Sequence, residues 1–295
     1  MVLFMNKILD FYKKTSYYTD LGLYRELAKS LPDEVSELAK LQRRQIIHPV
    51  IILNHLQDGW WDNLDKVPKT SLVFEDDIFP TAISMLSELL RRDSNYSLNR
   101  RVEDKIHVTC RGEAILLASI LKAKGIPCRV RSGFCEYLRH DGIYYDHWIV
   151  EYYSFKDNRW ILVDADDQWD DKLIEFDLND LPRDEFLFGA EAYLNLRNNK
   201  MKKESILYAS LPVTLGMDAA IRVLFYDFHS LMNDEIYYDF VPKYVLDKNF
   251  CLDEEELNEL DSLANLLLHP DDNFDELLNI WNNNLKFRIL SGGLN

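Results

Sequence analysis

Hydrophobic residues in the first and last thirds of the chain recur with the spacing of α-helices. Apolar positions stand three and four apart in TDLGLYRELAKSLPDEVSELAKLQRRQII and in DIFPTAISMLSELLRR, a period typical of amphipathic helices. Near the other end, Asp253 and Glu256 have the spacing of a capping box, and an apolar helical face follows them. The pattern therefore predicts helical regions over residues 1–95 and 191–295.

The period changes in the middle of the chain. Residues 146–168, DHWIVEYYSFKDNRWILVDADDQ, alternate between apolar and polar positions and contain a polar turn at Asp157-Asn158, which is typical of two strands joined in a hairpin. A switch from helical to alternating period indicates an α+β fold. We therefore predict an α+β core over residues 96–190, on which the helical flanks pack.

One apolar helical pattern opens this core and begins near a cysteine. Ala114, Leu117 and Leu121 recur at helical spacing, and the pattern ends at Gly125 and Pro127 in HVTCRGEAILLASILKAKGIPCRVRSGF. Cys110 then lies in or just before the first helical turn, where the positive end of the helix dipole favours a thiolate. Taken alone, Cys110 fits better the common role of an unpaired cysteine, which is that of a small buried hydrophobe.

The hairpin supplies candidate partners for this thiol. Pairing His147 with Asp164 leaves residues 154–157 as a four-residue loop. A carboxylate beside a histidine fixes its tautomer and stabilises the imidazolium. A tighter turn at Asp157-Asn158 would instead place Asp164 opposite Glu151. Taken alone, each residue fits a structural role equally well.

Together these segments resemble the transglutaminase-like superfamily, a papain-related group with Cys, His and Asp in that order along the chain. The resemblance rests on Cys110 at the start of a helix, on LKAKGIPCRVRSGF, and on DHWIVEYY and RWILVDADD. It covers roughly residues 105–170. It implies an α+β fold in which the cysteine lies at a helix N-terminus packed on an antiparallel sheet.

The resemblance also implies roles for individual residues. Cys110 would be the nucleophile, His147 the general base and then acid, and Asp164 the residue that orients the histidine. His107, three residues before Cys110, is a rival base. The oxyanion would be bound by the backbone N–H of Cys110 and by a second donor, for which the candidates are Gln45, Trp60 and Trp61. No cofactor is implied.

Composition and charge exclude several other classes of function. The formal charge of −16 disfavours nucleic acid as a partner. The four cysteines show neither a CxxC pair nor a regular spacing, so we expect neither a disulfide framework nor a zinc site. The opening MVLFMNKILDFYKK lacks the features of a signal peptide, and no apolar run approaches the roughly 18 residues of a membrane span. We therefore expect a cytoplasmic protein that does not contact a membrane.

The acidic segment DADDQWDDKLIE has a partial likeness to a calcium-binding loop. Asp164, Asp166, Asp170 and Glu175 occupy positions 1, 3, 7 and 12 of an EF-hand, but the glycine that this loop requires at position 6 is replaced by Trp169. We predict no metal site and interpret the segment as a solvated acidic turn.

Two functions follow from the residues and the resemblance. The first is a cysteine-dependent acyl-transfer enzyme that acts on an amide or ester bond through a thioester, and a hydrolase is favoured over a crosslinking enzyme. Its substrate would be a peptide, a protein or a small amide. The second is a non-catalytic binding module that keeps the fold. The sequence does not indicate the oligomeric state.

Overall fold

The computed structural model describes residues 2–55, 74–166, 174–210 and 213–289. Helices and strands are both present, so the predicted α+β class is confirmed, with helical regions on either side of the strands. In chain order the helices and strands are α1 (Val2–Tyr12), α2 (Arg25–Ser30), α3 (Val35–Arg43), α4 (Pro49–His55), α5 (Ala82–Arg92), α6 (Cys110–Ala123), β1 (Cys128–Cys135), β2 (Tyr144–Ser154), β3 (Arg159–Val163), β4 (Leu187–Phe188), α7 (Gly189–Arg197), β5 (Ile206–Tyr208), β6 (Thr214–Leu215), α8 (Gly216–Leu231), α9 (Lys243–Asp247), α10 (Glu254–Leu267) and α11 (Phe274–Asn283).

The chain divides into two compact units. The Cys110 unit comprises residues 11–129 and 149–182, and the His147 unit comprises residues 1–10, 130–148 and 183–295. Helix α1 and strands β1 and β2 each begin in one unit and end in the other. The boundaries predicted near residues 95 and 190 stay a prediction.

Helix α6 is the core of the Cys110 unit, and α2, α3 and α5 pack against it. Every residue from Cys110 to Lys122 is buried, including the charged residues Glu113 and Lys122. The helix ends as predicted, because Gly125 adopts a left-handed backbone with φ +79°. The apolar pattern therefore located the helix but underestimated its burial.

The same unit holds the predicted hairpin of β2 and β3. At the start of β1, Arg129 forms a buried ion pair with Glu151, with 2.6 Å between Nε and Oε2. The Arg129 guanidinium also lies over the ring of Trp160, 4.2 Å from its centroid. These contacts explain why the GIP-x-R segment follows the helix directly, since its arginine joins β1 to both strands of the hairpin.

In the His147 unit the strand order is β4-β1-β2-β5-β6. Strand β5 pairs with β2 in parallel, whereas β4 pairs with β1 and β6 with β5 in antiparallel fashion. The resemblance had implied an antiparallel sheet. The sheet is instead mixed, because β5 pairs with β2 in parallel. Gly133 of β1 lies against β4 so closely that an added Cβ would stand 2.4 Å from the Leu187 carbonyl oxygen. This close approach accounts for the glycine at the end of RVRSG.

Helix α8 is the core of the His147 unit. Arg131 of β1 and Asp227 of α8 form a fully buried bidentate pair, at 2.8 and 2.9 Å. Farther along the chain, α10 begins with the predicted capping box of Asp253 and Glu256, which confirms that sequence signal. In the described ranges, none of the helices combines the length and apolar character needed to traverse a bilayer.

Candidate active site

Cys110 is the first residue of α6 and is only 6% exposed. The preceding residue, Thr109, has an extended backbone with φ −77° and ψ 175°. Its carbonyl oxygen accepts the first helical hydrogen bond from the Glu113 N–H at 3.1 Å. The thiol therefore lies at the positive end of a buried helix dipole, the environment that the sequence predicted and one that favours an anion.

Two consecutive carboxylates hold the segment that leads into Cys110. The His107 N–H donates to Glu75 Oε2 at 2.8 Å, and the Glu75 N–H donates to the His107 carbonyl at 2.8 Å. The Thr109 N–H and hydroxyl both donate to Asp76 Oδ1, at 3.0 and 2.7 Å. The backbone of residues 107–109 is thus bonded along one side to residues 75 and 76, which the sequence analysis did not single out.

Asp164 directly follows β3 and is fully buried. Its N–H donates to the Leu178 carbonyl at 2.8 Å, and its carbonyl accepts from Arg43 Nη2 at 2.6 Å. Its Oδ1 accepts from the Asp166 N–H at 2.9 Å, which closes a local turn. The backbone and one carboxylate oxygen of Asp164 are therefore fixed by neighbours within the Cys110 unit.

The predicted register of the hairpin is wrong by two residues. Val150 lies opposite Val163, so the ladder does not place His147 directly opposite Asp164. A shift of two residues preserves the alternation of side chains, because the period of a strand is two. The side chains of β2 therefore lie on the same faces in either register, whereas the direct cross-strand pairing of the histidine and the aspartate is not present.

His147 belongs to the His147 unit and is 1% exposed. Its imidazole meets the Tyr137 ring edge to face, with 6.3 Å between centroids, and lies 6.5 Å from the Phe186 ring. An aromatic environment of this kind fixes the position of the imidazole by packing. Cys110 and Asp164 lie in the other unit, so the convergence of the three side chains stays a prediction.

A histidine–carboxylate pair that the sequence did not reveal lies in the Cys110 unit. His48 Nε2 and Asp166 Oδ2 are 3.9 Å apart, and both residues are buried. The Val50 N–H donates to His48 Nδ1 at 3.2 Å, which leaves the proton of a neutral ring on Nε2, toward the carboxylate. No sequence signal marks this pair, because 118 positions separate its members.

Gln45, a candidate oxyanion donor, is committed to other contacts. Its amide nitrogen donates to the carbonyls of Leu41 and Ser97, both at 2.8 Å, and its amide oxygen accepts from Arg100 Nε at 2.6 Å. An amide group has two protons to donate. Since both are used for backbone carbonyls, Gln45 has no proton left for an oxyanion, and we do not retain it in that role.

The other two candidate donors, Trp60 and Trp61, lie outside the described residues. The backbone N–H of Cys110 stays the default donor. Of the acidic segment, Asp164 and Asp166 are described and Asp170 is not. Among the residues that are described, no group of three or more His, Cys, Asp or Glu side chains is arranged to hold a metal ion.

Comparison with known families bears directly on this set of residues. Residues 88–165 match the model of the transglutaminase-like superfamily. This segment is similar to a transglutaminase-like core. It contains α6 and the β2–β3 hairpin, and with them Cys110, His147 and Asp164. The match supports a cysteine-dependent enzyme in general and leaves hydrolysis and acyl transfer undistinguished.

Two further comparisons give less information about the family of this chain. No curated protein matches the chain. Among solved structures, the chain is similar to a "Putative Cysteine Protease" from Cytophaga hutchinsonii, with 16% sequence identity and a TM-score of 0.33. The similarity covers 61% of this chain and 47% of the Cytophaga hutchinsonii protein, so this chain spans about half of the length of that protein. A likeness at this level carries no argument about activity.

Proposed function

We propose that this chain is a cysteine-dependent hydrolase that cleaves an amide or ester bond through a thioester intermediate. Cys110 Sγ attacks the carbonyl carbon after transferring its proton to His147, and the leaving amine or alcohol takes that proton as the bond breaks. Water then attacks the thioester, with His147 again as base, and releases the acid and the free thiol. Asp164 orients the imidazole and stabilises its protonated form.

One observation carries the proposal: Cys110 is the first residue of the buried helix of a transglutaminase-like core. The backbone N–H groups and the dipole at a helix start stabilise both a thiolate and the oxyanion of a tetrahedral intermediate. The order of Cys110, His147 and Asp164 along the chain is the order that the superfamily resemblance implies. No cofactor is needed for this chemistry.

Hydrolysis is proposed in preference to protein crosslinking. Crosslinking requires that water be excluded while a lysine amine enters the site. A hydrolase needs only water as the acceptor. The substrate class that fits this chemistry is a peptide, a protein or a small amide, and specificity would come from the loops and helical regions around the core.

The proposal is tested by the pH dependence of alkylation at each cysteine, measured by mass spectrometry. Cys251 is exposed and serves as an internal reference. We expect Cys110 to react well below the pH at which Cys251 does, because an ion-paired thiol has a lowered pKa. In His147→Ala, alkylation of Cys110 at pH 6 should slow by about tenfold, since the loss of thiolate outweighs the higher intrinsic reactivity of a more basic thiol.

The matched control is His140→Ala, because His140 is a histidine 43% exposed in its side chain on the same unit as His147. It should leave the alkylation profile unchanged. A wild-type Cys110 that titrates together with Cys251 would contradict the enzyme and favour the binding-module alternative. Capture of an acyl adduct on Cys110, and its absence in Cys110→Ser, would identify the bond that is cleaved.

A further inference from the structure

The N-cap threonine of α6 does not cap its own helix. Ser, Thr, Asp and Asn are favoured at this position because the side-chain oxygen accepts a hydrogen bond from the first turn. Thr109 makes no such side-chain bond. Its hydroxyl instead donates to Asp76 Oδ1 at 2.7 Å, across 33 positions of sequence. The residue before Cys110 is therefore fixed by a contact from a distant segment.

Asp76 constrains both the backbone and the side chain of Thr109. Because the N–H and the hydroxyl of Thr109 converge on one oxygen, at 3.0 and 2.7 Å, both the backbone and χ1 of Thr109 are constrained. Cys110 follows on the rigid helix, so the orientation of its Cα–Cβ bond is set by the backbone of Thr109. An error of about 1 Å in the position of a catalytic group is enough to lower a rate strongly.

The carboxyl group of Asp76 is costly to bury. Burial raises the pKa of Asp76, and the hydrogen bonds from Thr109 and the charge of Arg111 oppose this effect only in part. Within the described residues, Asp76 Oδ2 has no hydrogen-bond partner. A buried carboxylate with an unmatched oxygen is unfavourable compared with a neutral side chain of similar size. Such costs are typical of residues placed for function.

We propose that Asp76 is a positioning residue for Cys110, acting through its two hydrogen bonds to Thr109. This inference rests on the proposed function of Cys110 as nucleophile. Asp76 acts as a hydrogen-bond acceptor in this role, so its charge is dispensable and its acceptor oxygen is not. Glu75 supports the same segment through the backbone of His107.

The test separates the acceptor from the charge with three variants. Asp76→Asn keeps an oxygen that can accept from Thr109, Asp76→Ala removes it, and Thr109→Val removes the hydroxyl donor alone. The control is Ser119→Ala, which deletes the buried hydrogen bond from the Ser119 hydroxyl to the Ile115 carbonyl farther along α6. Two quantities are measured on the full chain: the alkylation midpoint of Cys110 against pH, and amide hydrogen exchange over residues 107–110.

We expect the alkylation midpoint of Asp76→Asn to stay at or slightly below that of the wild type. In Asp76→Ala the midpoint should rise by about one pH unit or more toward that of an ordinary thiol, and Thr109→Val should fall between the two. The amide of Thr109 should lose protection in Asp76→Ala and keep it in Asp76→Asn. Ser119→Ala should lower the melting temperature and leave the midpoint unchanged.

Three outcomes would overturn the inference. The first is a folded Asp76→Ala with the midpoint and the amide protection of the wild type. The second is an equal rise in Asp76→Asn and Asp76→Ala, which would assign the effect to charge. The third applies if Asp76→Ala does not fold, and is a Thr109→Val protein with an unchanged midpoint. Failure of the proposed function is distinguishable, because the wild-type Cys110 would then titrate like Cys251 while amide exchange still reports on the Thr109 contact.

Discussion

Helices α6 and α8 are the cores of their respective units, yet they are held in different ways. Both are buried along almost their whole length. Helix α8 is held late in the helix, at Asp227 by the bidentate pair with Arg131 and at His229 by a hydrogen bond to the Phe287 carbonyl. Helix α6 is held at its ends, by the Asp76–Thr109 contacts before its first residue and by Lys124 after its last.

The difference follows from what each helix presents. Helix α8 carries no proposed catalytic group, and its buried polar contacts lie away from its first residue. A helix whose first residue is a proposed nucleophile needs its start fixed in position, and several hydrogen bonds at its end do this. We therefore expect changes around α8 to act mainly on stability and changes around the start of α6 to act mainly on the chemistry of Cys110.

The largest effect is expected at the ion pair of α8. Asp227→Ala leaves Arg131 buried without its carboxylate and also removes the acceptor of the Ser132 N–H, which lies 3.1 Å from Asp227 Oδ1. Breaking a buried pair by removing one partner typically costs about 3–5 kcal/mol. Urea denaturation of the variant should show a loss of this size in the free energy of unfolding.

Two further proteins make that measurement decisive. Replacing both partners with apolar residues, in Arg131→Met with Asp227→Leu, should recover part of the loss, because no charge is then left buried. Lys243→Ala breaks an exposed pair with Asp247 and should cost about 0.5 kcal/mol or less. An Asp227→Ala protein as stable as Lys243→Ala would contradict the importance assigned to the buried pair.

A second effect in the same unit depends on pH. Burial raises the pKa of Asp146 to about 6, opposed by a hydrogen bond from the Ala209 N–H and by the charges of His147 and Arg222. The folded protein thus binds this proton more tightly than the unfolded chain does. The stability contributed by protonated Asp146 is present below about pH 4 and is lost as the pH rises toward about 6.

Asp146→Asn removes this dependence while keeping an oxygen that accepts from the Ala209 N–H. The free energy of unfolding of the wild type relative to Asp146→Asn should therefore decrease by about 3 kcal/mol between pH 3.5 and pH 7. Urea denaturation at a series of pH values measures the difference directly. Parallel pH curves for the two proteins would show that Asp146 titrates normally.

After the ion pair of α8 and the titration of Asp146, the third and smallest of the main effects on stability is expected at Asp164. Arg43→Met removes the hydrogen bond to the Asp164 carbonyl and should cost about 1 kcal/mol. Arg44→Met changes the neighbouring, exposed arginine and is the matched control. If the proposed triad is correct, Arg43→Met should also slow alkylation of Cys110 at pH 6, and Arg44→Met should not. Equal behaviour of the two variants would remove Arg43 from the site.

The sequence predicted the elements whose signals are local. The start of α6 at Cys110 and its end before Gly125 follow from an apolar period and from two residues that stop a helix. The capping box of α10 likewise depends on residues three positions apart. In such cases the information needed is contained in one stretch of chain.

The register of the hairpin shows where local information ends. Two four-residue loops that differ by one position, 154–157 and 155–158, give registers with the same alternation of side chains, so the apolar pattern fits both. The structure takes the loop over residues 155–158, where Asn158 adopts a left-handed backbone with φ +53°. A single sequence does not distinguish this turn from the neighbouring one.

The contacts that support the candidate site could not be predicted from the sequence, because they join residues that are distant along the chain. Arg43 reaches Asp164 across 121 positions, and Asp76 reaches Thr109 across 33. Neither arginine nor aspartate at these positions belongs to a periodic pattern. Only the packing of α3 and of residues 75–76 against the core brings these groups together, and that packing is a property of the whole unit.

Helix α3 contacts both the start of α6 and the backbone of Asp164. Its adjacent residues Gln42 and Arg43 donate to the Glu113 carbonyl, in the first turn of α6, and to the Asp164 carbonyl, at 2.6 Å in both cases. A rotation or slide of this one helix would thus disturb both neighbourhoods simultaneously. A molecule that binds to the outer face of α3 and moves this helix would therefore shift the start of α6 and the backbone of Asp164 at the same time. Substitutions on that face should disturb the positions of Cys110 and Asp164 together.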